Sequence, residues 1–222
     1  MKNLLLAWCD NSTVEGPFAE SLVMLTTQQE IPISAILRVQ GNQIGRQRQQ
    51  VVDFIVAHPE IDGIFWIDSD ISMKFSDFEK LYSSIDIEKS PIVTGVYYIL
   101  KENGFPKPAI FNFDKDEEFI IHYIHDFEED SLIPVEAAGF GFLFMHRSVI
   151  DKMVNLYNGM PLFNETGVGE QFVSEDIRFF KLLKNAEIPF FCHTGSNPEH
   201  IKKMRLNKKL YDLCRFSDKE TE

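Results

Sequence analysis

Short apolar runs alternate with stretches of helical spacing through the first hundred residues. Residues 3–8, 31–39, 64–67 and 92–97 are compact apolar runs of strand length. Between them, residues 17–29 suit a helix with Pro17 in its first turn, where a missing N–H costs nothing. Residues 43–57 carry Ile44, Val51, Val52, Ile55 and Val56 at helical spacing, and His58-Pro59 ends that helix. A third helix fits residues 75–84. The order β-α-β-α-β-α-β predicts an α/β fold: a mostly parallel, Rossmann-like central sheet with helices on both faces. Ligands of such sheets bind beyond the carboxyl ends of the strands.

The second half reads differently. Residues 109–113 and 119–123 look like two strands around the acidic turn Asp114-Lys115-Asp116-Glu117-Glu118, which predicts a small antiparallel extension. An apolar strand over 139–145, a helix over 148–157, a glycine-bearing loop over 164–169, a helix over 175–185 and a short strand over 188–192 follow. No repeat, low-complexity segment or linker interrupts the pattern, so one domain is expected over 1–222.

Composition narrows the class. The chain has 222 residues, 44% hydrophobic and 25% charged, as ordinary globular proteins do. Its 20 phenylalanines point to a filled core or to apolar cleft walls. The net charge of -12 disfavours sequence-independent nucleic-acid binding, which depends on neutralising phosphates. Against that balance stands a basic C-terminal stretch, Lys202, Lys203, Arg205, Lys208, Lys209 and Arg215, read as a helix over 201–222. It is either a solvated face or a patch for an anionic acceptor, a donor diphosphate or a membrane surface. Cys9, Cys192 and Cys214 are too few and too far apart for a disulfide framework or a zinc site. With no signal peptide and no apolar run of membrane-spanning length, a cytoplasmic protein is expected.

The candidate chemistry sits at one strand end. Asp68-Ser69-Asp70 follows the apolar run Ile64-Phe65-Trp66-Ile67, so two carboxylates arrive at the ligand-binding edge of the sheet. Such a pair suits Mg2+ or Mn2+, with water and phosphate oxygens filling the remaining positions. The pair follows the third strand, whereas dehalogenase-type phosphatases need theirs after the first. The Gly-x-x-x-x-Gly-Lys-Ser/Thr phosphate loop is absent.

Several ordered motifs resemble the GT-A fold glycosyltransferases. Gly45-Arg46-Gln47-Arg48 precedes the acidic strand, and Phe65-Trp66-Ile67-Asp68-Ser69-Asp70-Ile71 looks like its Asp-x-Asp end. Residues 91–98 look like the next strand, and Ala138-Gly139-Phe140-Gly141-Phe142 resembles the glycine-containing strand beside the transferred sugar. Ser174-Glu175-Asp176 resembles the Glu-Asp motif that opens a helix, and Cys192-His193-Thr194-Gly195 the late metal-binding histidine. Family 2-like enzymes and the mannosyltransferases with a Trp-x-Asp-x-Asp strand are the two groups resembled.

The resemblance implies a metal-dependent glycosyltransferase of the hexosyl- or pentosyltransferase class, using a UDP- or GDP-sugar donor and Mn2+ or Mg2+. Asp68, Asp70 and His193 are the implied metal ligands, with His200 as the competing histidine. Arg46 is the implied diphosphate contact; Arg48, two residues on, points elsewhere on the helix. Asp10, Asp68, Gly139 and Gly141 are implied on the donor. Glu175 and Asp176 are the implied acid-base candidates, with Asp176 first; as plain sequence they equally read as an acidic helix start. Residues 1–100 would form the nucleotide-binding half and 101–200 the sugar and acceptor half. The alternatives are a nucleotidyltransferase on a related sheet and a non-catalytic nucleotide-sugar-binding module.

Overall fold

The computed structural model describes residues 1–100, 105–117, 119–168, 171–203 and 208. In chain order it forms β1 (Leu4–Asp10), α1 (Gly16–Thr26), β2 (Ile33–Gln40), α2 (Ile44–Ala57), β3 (Gly63–Ile67), β4 (Ile71–Ser72), α3 (Phe75–Ser84) and β5 (Ile92–Gly95). Next come β6 (Tyr98–Leu100), β7 (Pro106–Pro108), β8 (Ile110–Phe113), β9 (Ile121–Tyr123), β10 (Leu132–Pro134), β11 (Ala137–Ala138), β12 (Phe142–His146) and α4 (Arg147–Leu156). The last elements are β13 (Thr166–Val168), β14 (Gln171–Val173), α5 (Glu175–Asn185), β15 (Phe191–His193) and β16 (Glu199–His200).

The main sheet has the order β10-β15-β5-β12-β3-β1-β2. β1 pairs in parallel with β2 and β3, and β15 in parallel with β5. β12 lies antiparallel between β3 and β5, and β10 antiparallel on β15. The sheet is therefore mostly parallel, with two reversed strands. Because β12 is reversed, its first residues stand at the same edge as the last residues of β3, with Phe142 opposite Ile67.

Strand periodicity divides the core between the two faces. Leu4, Leu6, Phe65, Ile67, Phe142 and Phe144 pack with Phe18 and Leu25 of α1 and Phe78 and Leu81 of α3. Leu5, Ala7, Ile64, Trp66, Leu143 and Met145 pack with α2, α4 and α5 through Val51, Ile55, Ile150, Met153, Phe179 and Phe180. Fully burying each such phenylalanine contributes roughly 1.5–3 kcal/mol, and both faces of the sheet carry several.

Several strand boundaries differ from the sequence expectation, and three of the departures have a direct hydrogen-bonding reason. β5 stops at Gly95 because the Val96 amide donates to the Ser196 carbonyl, 2.8 Å away. β12 begins only at Phe142, since the Gly139 amide is taken by Ala109 and the Gly141 amide by the Tyr97 hydroxyl. Within the stretch read as a loop over 164–169, Thr166–Val168 instead pairs with Gln171–Val173 as a hairpin. Of the basic stretch read as a helix over 201–222, residues 204–207 and 209–222 lie outside the described residues.

Candidate functional site

Strand β3 is wholly buried, and the polar residues that follow it emerge at the carboxyl edge of the sheet. The Asp68 amide donates to the Gly141 carbonyl at 2.8 Å, and the Ile71 amide to the Asp68 carbonyl at 2.9 Å. This turn sets both aspartates beside a cleft of about 310 Å³, lined by Cys9, Asn11, Thr13, Glu15, Asp68 and Asp70.

Asp70 is met by residues from far down the chain. β16 pairs antiparallel with β4, placing His200 opposite Ile71, and the Ile201 amide donates to the Asp70 carbonyl at 2.8 Å. His200 Nε2 then lies 3.2 Å from Asp70 Oδ2, and Lys202 Nζ lies 2.5 Å from the same oxygen. Burial opposes ionisation of Asp70, but hydrogen bonds from His200 and Lys202, with their charges, outweigh it and hold the carboxyl down at about 2.

His200 Nδ1 lies 3.0 Å from the Tyr98 carbonyl oxygen. A carbonyl only accepts, so Nδ1 carries the proton of that contact. Nε2 therefore meets Asp70 either by carrying a second proton or by sharing a cation with it. A backbone carbonyl that accepts from one ring nitrogen and so fixes the tautomer is how metal-binding imidazoles are usually oriented. The oxygen and nitrogen donors of Asp70 and His200 are of the kind a divalent cation takes, and a cation bound there would take the place of the Lys202 ammonium on Asp70 Oδ2. Among the described residues no group of three or more His, Cys, Asp or Glu side chains is disposed to hold one. A cation here would take its other positions from water or substrate oxygens, as Mg2+ and Mn2+ commonly do.

Asp68 faces Arg48 of α2. Arg48 is only 5% exposed. Its Nη1 donates to Glu175 Oε1 at 2.6 Å, its Nη2 to Asp68 Oδ2 at 3.4 Å, and its guanidinium lies over the Phe140 ring, 4.7 Å from the centroid. Burial raises the Asp68 carboxyl above the usual range, Arg48 opposes that rise, and Asp70 adds to it. Burial likewise raises Glu175, against the pull of Arg48. Glu175 opens α5, and Asp176 follows it. Asp176 Oδ1 accepts from the Ile177 amide at 2.8 Å and from the Ser174 hydroxyl. Its charge is felt at Arg48, Asp68 and Tyr97, so α5 begins within electrostatic reach of the acidic turn.

Several expected residues land elsewhere. His193 sits in β15, its Nδ1 accepting from the Gly195 amide at 3.2 Å. Burial lowers its pKa, and its charged neighbours are Asp130 and Lys80, not the acidic turn. His200, and not His193, lies against Asp70, because the two-residue ribbon β4–β16 carries the chain back across Asp70. Asp10 points away from the cleft: Arg38 grips it at 2.6 and 2.8 Å, Trp8 Nε1 donates at 3.0 Å and the Ser12 amide at 2.8 Å. That carboxylate anchors the end of β1 to β2 and is not open to a donor. Arg46 is exposed and borders a separate pocket of about 220 Å³ with Gln43, Phe163 and Glu165. The glycines answer to close packing inside the chain. A Cβ on Gly139 would fall 1.9 Å from the Tyr97 hydroxyl, and one on Gly141 would fall 3.1 Å from Asp68 Oδ2.

Sequence reasoning passed over Arg48, yet a signal was present. It lies three and four residues before Val51 and Val52, within the apolar stripe of α2, where an arginine is buried and needs partners. Tyr97 is the other addition: its ring meets His200 edge-on at 5.2 Å, and its hydroxyl, raised by burial, accepts from the Gly141 amide at 3.1 Å.

No protein-family model matches the chain, and no curated protein matches its sequence. Solved structures do. A197 from STIV aligns with a TM-score of 0.63 at 20% identity, covering 91% of this chain and 87% of that one. GalNAc-T7, solved with UDP, GalNAc and Mn2+, aligns with a TM-score of 0.55 at 9% identity. That match covers 92% of this chain, which spans 44% of the GalNAc-T7 chain. At these identities the likeness shows the fold, an α/β, GT-A-like architecture around a mostly parallel seven-stranded sheet. Among the described residues no helix is long and apolar enough to cross a membrane.

Proposed function

We propose that this chain is a metal-dependent glycosyltransferase that moves a sugar from a nucleotide-diphosphate donor to an acceptor hydroxyl. The observation that carries this is the meeting of Asp70 and His200, 130 residues apart, at the edge where sheets of this kind bind ligands. The GT-A-like fold supports it, as does the structural neighbour solved with UDP, GalNAc and Mn2+.

Asp70 and His200 would hold Mn2+ or Mg2+, with Asp68 beside them. The cation's chemistry is to neutralise charge on the departing nucleoside diphosphate. The cleft beside Asn11, Thr13 and the acidic turn takes the donor. Asp176 is the base for an inverting transfer: the acceptor oxygen attacks the anomeric carbon, the bond to the diphosphate breaks with its electron pair, and the acceptor proton passes to Asp176. Glu175 is less suited, because its carboxylate is committed to Arg48.

The test is turnover of a panel of UDP- and GDP-sugars with and without Mn2+. Turnover, whether transfer or slow hydrolysis, is expected only with the metal, and Asp70→Ala should lower it by about 100-fold or more, as loss of a charge-stabilising group does. Undiminished metal-dependent turnover in that variant would exclude this metal site.

A further inference from the structure

Arg48 lies too deep in the fold to be an ordinary surface cation, and its contacts run in two directions. Toward the acidic turn it reaches Asp68 Oδ2 at 3.4 Å; toward α5 it reaches Glu175 Oε1 at 2.6 Å. Phe140 lies against its guanidinium, so the fork is held in orientation by packing as well as by charge. The surroundings leave little slack. A Cβ at Gly45, one turn earlier on α2, would meet the Phe163 carbonyl at 3.1 Å and Glu175 Cβ at 3.4 Å. The backbone at Gly141 confines Asp68 from the other side.

Buried ion pairs are poor devices for stability, since desolvation consumes most of the attraction and apolar replacements often serve as well. A planar guanidinium, by contrast, is well made to fix two carboxylates in one arrangement, which a lysine ammonium cannot do. We propose that Arg48 is a positioning residue that ties Asp68, on the donor side, to the start of α5, on the acceptor side. It uses Glu175 as its handle and so sets the distance between the acidic turn and Asp176. This rests on the transferase assignment for its meaning but not for its geometry.

The experiment is Arg48→Lys, which keeps the charge and loses the fork. The expected result is a variant that melts close to wild type, with kcat for nucleotide-sugar turnover down by about 10- to 100-fold, as small misplacements of reacting groups produce. Donor KM should change much less than kcat. A folded Arg48→Lys with wild-type kcat overturns the proposal. Should that variant not fold, the charge-balanced Arg48→Met/Glu175→Met replaces it. A crystal structure of whichever variant folds reads the tie without turnover. Displacement of the Asp68 carboxylate relative to Asp176 supports it, and unchanged positions overturn it. Wild-type protein inactive on every nucleotide sugar would refute the transferase assignment while leaving this structural readout intact.

Discussion

Two positions, about half a helix turn, separate the two arginines of Gly45-Arg46-Gln47-Arg48, and only the face decides between them. Arg46 looks outward, while Arg48 lies in the stripe that Val51, Val52 and Ile55 carry into the core. Residue type and motif likeness singled out this helix and, within it, Arg46; only the apolar period of α2 marks Arg48 as the buried one. The glycines show the same dependence on neighbours. Gly139 faces the Tyr97 hydroxyl so closely that a methyl group cannot be added without moving a buried ring. Gly139→Ala should destabilise the fold by about 1–3 kcal/mol, the usual cost of overpacking. Adding Tyr97→Phe should recover part of that loss, because the nearest clashing atom is removed. Thermal unfolding of the single and double variants checks this; a double variant as unstable as the sum of the two single changes would contradict the contact.

At the scale of elements, the ribbon β4–β16 is the piece that completes the site. It brings His200, Lys202 and the Ile201 amide onto Asp70 from the far end of the described chain. Since Asp70 titrates at about 2 in the fold against 3.8 ordinarily, its ionised form favours the folded state. That stabilisation is complete above pH 3.8 and is lost as pH falls through about 2. Asp70→Asn should thus be less stable than wild type near pH 6, and the gap should close on acidification from about 4 to 2. Urea unfolding across that range measures it; a gap independent of pH would show that the ribbon is held by other contacts. Two-residue strands such as these carry no period, which is why the sequence did not reveal them. Helices α2, α3 and α5, with ten or more residues each, were legible almost to the residue. The histidine followed from the ribbon: at the sequence level His193 and His200 differed only in motif likeness, and the pairing of β16 with β4 favours the second.

Over the whole molecule, the alternation of strands and helices was enough to predict the layered sheet and that the acidic turn would stand at its carboxyl edge. The acidic turn at the end of β3 and the Glu175-Asp176 start of α5 do meet at that edge, one from each side of Arg48. The net charge of -12 sharpens the role of the few cations placed there. Arg48 and Lys202 are set against carboxylates beside the acidic turn, where the proposed donor diphosphate would lie. What the sequence withheld was long-range placement, since the contacts that define the site join residues more than a hundred positions apart. The most direct measurement compares His200→Ala with His193→Ala in Mn2+-dependent turnover of the preferred nucleotide sugar. His200→Ala should lose about 100-fold, the upper end of what removing even an outer partner of a metal ligand costs, while His193→Ala should stay near wild type. Loss in His193→Ala with His200→Ala unaffected would contradict it.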